Sequence, residues 1–147
     1  MATEFKMTHR VEFADTDMAG LIHFSSYFRY MEVTEHAFFR SLGLSIVLTG
    51  GEKVGWPRVH VECDFKGPLY FENEVEVHLR VRAKGERSLT YDFNFRRIRP
   101  EPAIEVGRGS ITAVCVTKDQ SGILKAVPIP EAVARKIEAA PAEGAKE

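Results

Sequence analysis

Residues 15–43 read DTDMAGLIHFSSYFRYMEVTEHAFFRSLG, two carboxylates and a glycine turn followed by a long, mostly apolar segment that reaches no further glycine until Gly43. Ser25 and Ser26 each offer a hydroxyl that can accept a backbone N–H as N-cap, and Gly43 suits the left-handed position just past a helix end. Tyr27, Met31, Thr34 and Phe38 recur at helical spacing, with Tyr30, Val33, Ala37 and Leu42 beside them. An apolar surface covering more than half the circumference predicts a helix buried on several sides, as when a sheet wraps around it.

The chain on either side of this helix reads as strand. Residues 6–13 carry Met7, Val11 and Phe13 into the acidic motif. Residues 44–51 form a short apolar stretch ending in Gly50-Gly51, expected to pack under the helix end. In residues 58–65, Val59, Val61 and Cys63 alternate with Arg58, His60, Glu62 and Asp64. The clearest strand is residues 74–83, where Val75, Val77, Leu79, Val81 and Ala83 alternate with charged residues, a period of two that no helix tolerates. Residues 84–87 predict a hairpin turn into a strand over 88–97, with Leu89, Tyr91, Phe93 and Phe95 on one face. A last long strand over 104–117 contains Gly107 and Gly109, which suggest a bulge or bend. Both faces of residues 111–116 are apolar, so the outer side should meet another element or subunit. Residues 124–130 read as an extended closing segment and 131–139 as a short terminal helix. The order is α+β, one helix held in a curved antiparallel sheet of five to six strands. Such a sheet leaves an edge uncovered, which predicts a dimer.

Composition bounds the function. With 147 residues the chain is expected to hold one domain, residues 1–140, followed by a disordered tail at 141–147. Apolar residues at 44%, charged residues at 28% and a net charge of −1 give no reason to expect nucleic acid or membrane as partner. The first ten residues hold no signal-peptide run and no segment approaches a membrane span, so the expected location is cytoplasmic. Cys63 and Cys115 stand alone inside strand-like stretches, without metal-ligand spacing, and read as free thiols.

The chemistry is expected where the motif meets the helix. A helix N-terminus presents unpaired N–H donors and partial positive charge, so it can hold an anion or a developing oxyanion. Asp17, just before it, could act as nucleophile or as general base for a water. Asp and Gly before a helix are also ordinary capping and turn residues.

The run VEFADTDMAGLIHFSSYFRYME, residues 11–32, resembles the signature of hotdog-fold acyl-CoA thioesterases of the 4-hydroxybenzoyl-CoA thioesterase class: a strand, D-x-D-x-x-G, two apolar residues, an aromatic pair and a Tyr-bearing helix. The resemblance is close over residues 6–43 and looser through the rest. It implies a hotdog fold with two active sites at a dimer interface, often in a tetramer, and hydrolysis of an acyl- or aryl-CoA thioester. Asp17 then matches the catalytic carboxylate, and Phe24 the residue whose backbone N–H polarises the thioester carbonyl. His23 departs from the pattern, which commonly has Tyr or Trp there. Gly20 would let the loop approach the substrate closely and Tyr27 and Tyr30 would close the wall of the acyl pocket, its depth depending also on Met31 and Trp56; His23, whose role does not follow from the family pattern, would line that pocket or orient a water. No metal or redox cofactor is implied; coenzyme A enters only as part of the substrate.

Charge adds a second candidate surface. Arg80, Arg82, Lys84, Arg87, Arg96, Arg97 and Arg99 are opposed nearby only by Glu86 and Asp92. Lys84, Arg87 and Ser88 at the hairpin tip could therefore meet the phosphates of coenzyme A, or simply be a solvated face. His9, His60 and His78 read as surface or satisfied histidines. Glu32 and Glu35 read as helix-face charges pairing with Arg29 and Arg40. A hydratase or dehydratase using His23 and Asp17, and a non-catalytic acyl-CoA-binding module, stand as the alternatives.

Overall fold

The structure, a computed structural model, describes residues 1–47 and 53–142. Strand β1 (Glu4–Arg10) leads through a 3₁₀ turn (Phe13–Asp15) into helix α1 (Phe24–Ser41). Strands β2 (Arg58–Phe65), β3 (Glu74–Lys84), β4 (Ser88–Arg99) and β5 (Ile104–Val114) follow. A small hairpin of β6 (Val116–Lys118) and β7 (Leu124–Ala126) precedes a single-turn helix α2 (Glu131–Ala134). The first five strands make one antiparallel sheet in the order β1-β3-β4-β5-β2, with α1 packed on one face. This is the α+β hotdog arrangement expected from the sequence.

The alternation in β3 and β4 explains the core. Val75, Val77, Leu79 and Val81 are fully buried, and their neighbours Leu89, Tyr91, Phe93 and Phe95 are at most 1% exposed. Full burial of such side chains contributes roughly 1.5–3 kcal/mol each. The other face carries Glu76, His78, Arg80, Asp92 and Asn94 to solvent or to one another.

Gly43 occupies the predicted position past α1, with Leu44 N–H bonded to Phe39 O and Gly43 N–H to Arg40 O, both at 3.0 Å. The other helix end differs from expectation. The N-cap is His23, not Ser25 or Ser26, and its ring nitrogen accepts the Ser25 N–H. Gly107 and Gly109 were expected to mark a bulge or a bend. A bulge does fall beside them, at Val106, between the pairs Phe95 with Gly107 and Arg96 with Glu105. The glycines themselves answer to α1: a Cβ on Gly107 would stand 3.1 Å from the Tyr27 ring, and one on Gly109 would overlap Met31 Cε. They let the helix lie directly on the sheet.

The expected strand over 104–117 breaks at Cys115, after which the chain turns into β6, and the terminal helix stops at Ala134 because the chain then bridges to Ala2 through Ile137. Of the expected tail, Pro141 accepts a hydrogen bond from Arg80 at 2.8 Å and residues 143–147 lie outside the described residues, as does much of the 44–51 stretch. Strand β2 spans the expected residues 58–65, but it lies at an edge of the sheet, where Val59 and Val61 of its apolar row are 63% and 39% exposed. No described helix is long and apolar enough to cross a membrane.

Candidate active site

The loop carrying Asp17 is a small hairpin closed on itself. Thr16 and Ile22 form an antiparallel bridge, Asp17 N–H bonds to Leu21 O at 2.8 Å, and Gly20 N–H bonds back to Asp17 O at 3.0 Å. Gly20 has φ +82°, a conformation that side-chain-bearing residues adopt at a cost. Nothing lies within 4 Å of where its Cβ would be, so within one chain backbone conformation, rather than close approach, is what requires glycine. His23 N–H then bonds to Asp15 O at 2.8 Å, so one short loop carries both Asp17 and the start of α1.

The two carboxylates of the motif have opposite surroundings. Asp15 is 3% exposed and accepts three donors: Glu12 N–H at 2.9 Å, Arg29 Nη2 at 2.7 Å and Tyr30 Oη at 2.8 Å. Burial works to raise its pKa, but those donors outweigh it and hold the carboxyl below the usual carboxylate range. Asp17 is exposed, and its Oδ1 accepts the Ala19 N–H at 2.8 Å. The carboxylate free to meet a ligand is therefore the second.

At the helix start, the Phe24 N–H carries no hydrogen bond among the described residues, as the first helical position allows. The Phe24 side chain is 60% exposed and packs against His23, with ring centroids 4.6 Å apart and the rings tilted by 31°. His23 Nδ1 accepts the Ser25 N–H at 3.3 Å and lies 2.7 Å from Ser25 Oγ. With Nδ1 an acceptor, the neutral ring carries its proton on Nε2.

Other sequence candidates occupy different roles. Tyr27 and Tyr30 are 2% and 1% exposed, and Met31 is fully buried. The Tyr27 ring lies 5.0 Å from both Phe65 and Phe95, and burial pushes its hydroxyl up to about 12. Tyr30 is the donor to Asp15, so within one chain these residues build the core beneath the loop rather than a pocket wall. Lys84 is not a free cation: its ammonium donates to Ala134 O at 2.8 Å and Ile137 O at 2.9 Å, and Glu138 is 3.5 Å away. It fastens the C-terminal segment. Arg87 is exposed beside Glu86, with Ser88 half-buried at the same tip. Since Arg10 pairs with Glu74, the Asp17 loop sits at one end of β3 and this tip at the other, roughly 30 Å away along the strand. One chain does not bring them together.

Glu35 was expected on the surface and is fully buried. Arg58 donates to it through both Nη atoms, at 3.1 and 2.5 Å, and also reaches Glu32 at 3.5 Å. Arg29 pairs instead with Asp15. Beside Arg58 a cavity of about 600 Å³ opens between α1, the chain before β2 and the β6–β7 hairpin, with Glu32, His36, Ile46, Trp56, Val116 and Leu124 among its walls. A second, polar cavity of about 600 Å³ lies on the outer face of the sheet, where Arg82 and Asp92 are ion-paired. Neither cavity is lined by Asp17 or Phe24. Among the described residues, no cluster of three His, Cys, Asp or Glu side chains could hold a metal ion.

Residues 11–137 match the family described as "Thioesterase-like superfamily". A "Putative esterase" of Aquifex aeolicus (strain VF5) is 31% identical over 129 residues, 88% of this chain and 94% of that protein. A 1,4-dihydroxy-2-naphthoyl-CoA hydrolase of Prochlorococcus marinus (strain MIT 9313) is 30% identical over 94 residues, 58% of this chain and 62% of the relative. A solved gentisyl-coenzyme A thioesterase superposes with a TM-score of 0.74 at 27% identity, covering 88% of this chain and 99% of its own. The chain belongs to the thioesterase-like superfamily and is a thioester hydrolase with the hotdog fold.

Proposed function

We propose that the chain hydrolyses the thioester bond of an acyl- or aryl-CoA, with the Phe24 N–H as oxyanion donor and Asp17 as nucleophile or general base. One observation carries this reading: the motif loop presents an exposed carboxylate beside a helix start whose first N–H is unspent. An N–H aimed at the carbonyl oxygen stabilises the charge that grows there as the carbon becomes tetrahedral. On the nucleophilic route an Asp17 oxygen bonds to the carbonyl carbon, the C–S bond breaks, and the CoA thiolate leaves and takes a proton. Water then hydrolyses the mixed anhydride to the free acid and restores the carboxylate. On the general-base route Asp17 takes a proton from water as its oxygen attacks, and that proton passes to the departing thiolate.

The active unit in this reading is a homodimer. β2 has a free edge and carries Val59, Val61 and Phe65 at 63%, 39% and 50% exposure, whereas β1, the other edge, packs Phe5 and His9 against α1 and shows solvent Lys6, Thr8 and Arg10. An apolar edge strand is a template for pairing with a second copy.

The test is thiol release from a panel of acyl-CoAs, with enoyl-CoA hydration measured beside it. Release by the native chain that Asp17→Asn abolishes is expected. Unchanged release by Asp17→Asn removes the assignment of the carboxylate, and hydration without release replaces the reaction.

A further inference from the structure

We infer that His23 is a second donor to the thioester carbonyl, its Nε2–H working beside the Phe24 N–H. The inference rests on the thioesterase reading above and gives a part in the reaction to a side chain that otherwise only caps α1.

The motif hairpin puts this ring on the same side as the carboxylate. Thr16 and Ile22 are bridged, and Ile22 is buried, so that pair of side chains faces inward. Successive side chains of extended backbone point to opposite faces. Asp17, next to Thr16, and His23, next to Ile22, therefore share the outer face, and both are exposed. The Asp17 N–H bonds to Leu21 O, which makes Leu21 its direct partner and His23 its diagonal one. Diagonal side chains in regular pairing stand about 7–8 Å apart, room enough for a carbonyl group between carboxylate and ring.

The ring is anchored through one nitrogen only. Its Nδ1 accepts the Ser25 N–H at 3.3 Å and stands 2.7 Å from Ser25 Oγ, while the backbone is tied down by His23 N–H to Asp15 O at 2.8 Å and Ser26 N–H to His23 O at 2.9 Å. Nε2 has no hydrogen-bond partner among the described residues. Because Nδ1 is the acceptor, the neutral ring carries its hydrogen on Nε2. The Ser25 N–H is the neighbour of the Phe24 N–H in the first turn, so anchoring Nδ1 on it lays the imidazole across the helix start. Nε2 then stands at the margin of the space that the Phe24 N–H faces. A carbonyl oxygen in that space meets two donors, one backbone and one imidazole, and the charge that grows on it is shared between groups already in place. No proton leaves the ring. In this tautomer Nε2 has no lone pair, so proton transfer stays with Asp17, water and the departing thiolate. The same tautomer disfavours His23 as the base of a hydratase.

Two amide variants separate this role from capping. His23→Asn installs a preferred N-cap whose Oδ1 can replace Nδ1 as acceptor for the Ser25 N–H, but it puts no donor where Nε2 stands. His23→Gln, one carbon longer, carries an N–H donor out toward that position and is not among the preferred caps. His23→Asn should melt at the native temperature, with kcat for benzoyl-CoA and octanoyl-CoA lowered about tenfold or more and KM within a few-fold, because the donor acts on charge that exists only in the transition state. His23→Gln should melt lower and yet keep a kcat well above that of His23→Asn. A residue that only caps the helix gives the reverse order. Native kcat in His23→Asn overturns the inference, as does a folded His23→Gln no faster than His23→Asn. Thiol release absent from the native chain, or unchanged in Asp17→Asn, defeats the thioesterase reading and takes the inference with it. Where release does depend on Asp17, the His23 variants alone decide the inference, so the two failures are separable.

Discussion

The Tyr30 hydroxyl donates a 2.8 Å hydrogen bond to Oδ2 of Asp15, whose other oxygen takes Arg29 at 2.7 Å. The first carboxylate of the motif is thereby committed to holding the loop on α1. Asp15→Asn weakens the Arg29 contact and leaves donors facing donors, at a cost of about 1–3 kcal/mol. A lower urea midpoint with kcat/KM per folded molecule largely retained is the expected result, the reverse of Asp17→Asn. Because the folded pKa of Asp15 is lowered, its contribution is present above the unfolded value near 3.8 and is lost as pH falls through the folded one.

His9 gives a pH dependence of another origin. It is half-buried, stacks on Tyr30 with centroids 4.7 Å apart, and has Nε2 3.1 Å from Thr34 Oγ1. Burial, assisted by the nearby Arg29 charge and only partly opposed by Asp15, pushes it down to about 4. Between about 4 and 6.5 the unfolded chain binds a proton here that the folded chain refuses, so stability rises with pH through that window. The melting temperature of His9→Gln should depend less steeply on pH from 4 to 6.5 than that of the native chain. Parallel curves would remove the assignment.

Much of this fold is legible in the sequence because alternation and helical spacing report burial directly. Residues 74–83 could hardly read otherwise, and Gly43 ends α1 where it should. What remained hidden depends on contacts between distant segments. Glu35 looks like a surface residue because local pattern counts a carboxylate as polar, and only the fold brings Arg58 to it. Gly107 and Gly109 read as bend residues because nothing local announces that Tyr27 and Met31 lie against them. The apolar row of β2 was visible, but not that it forms an edge. At the site, the family resemblance implied Asp17 and Phe24 as the reacting groups, whereas the captive roles of Lys84 and Tyr30 required the C-terminal segment and Asp15 to be in place.

The buried pair of Glu35 and Arg58 should behave asymmetrically. Glu35→Ala leaves the guanidinium beside the buried Tyr91 ring with only the longer Glu32 contact and the Trp56 carbonyl, so the loss should approach the roughly 3–5 kcal/mol of breaking a buried pair without exceeding it. Replacing both, as Glu35→Leu with Arg58→Met, removes the stranded charge and should recover most of that loss in a denaturant titration. A double variant no more stable than Glu35→Ala would show that packing, not charge, fixes this region.

Gly109 tests how closely α1 lies on the sheet. Alanine there overlaps Met31 Cε and stands 2.9 Å from Glu62 O, so strand and helix must part slightly, a change that typically costs about 1–3 kcal/mol. Shortening Met31 to alanine in the same chain clears the side-chain clash but leaves the Glu62 carbonyl contact. The double variant should therefore be less destabilised than the sum of the two single ones, read from calorimetric unfolding.

The oxyanion role of Phe24 can be separated from its side chain. Phe24→Ala keeps the amide and should leave kcat within a few-fold of native. Phe24→Pro deletes the N–H at the first helical position, where proline removes no intrahelical bond and its fixed φ suits the first turn. Proline also asks the preceding residue to be extended, and His23 already is, at φ −69° and ψ 139°. The fold should therefore survive, as circular dichroism and melting temperature can verify, while kcat falls by about 10²–10³, the usual loss for one well-aimed oxyanion donor. A folded Phe24→Pro enzyme with native kcat would mean that the carbonyl is polarised elsewhere.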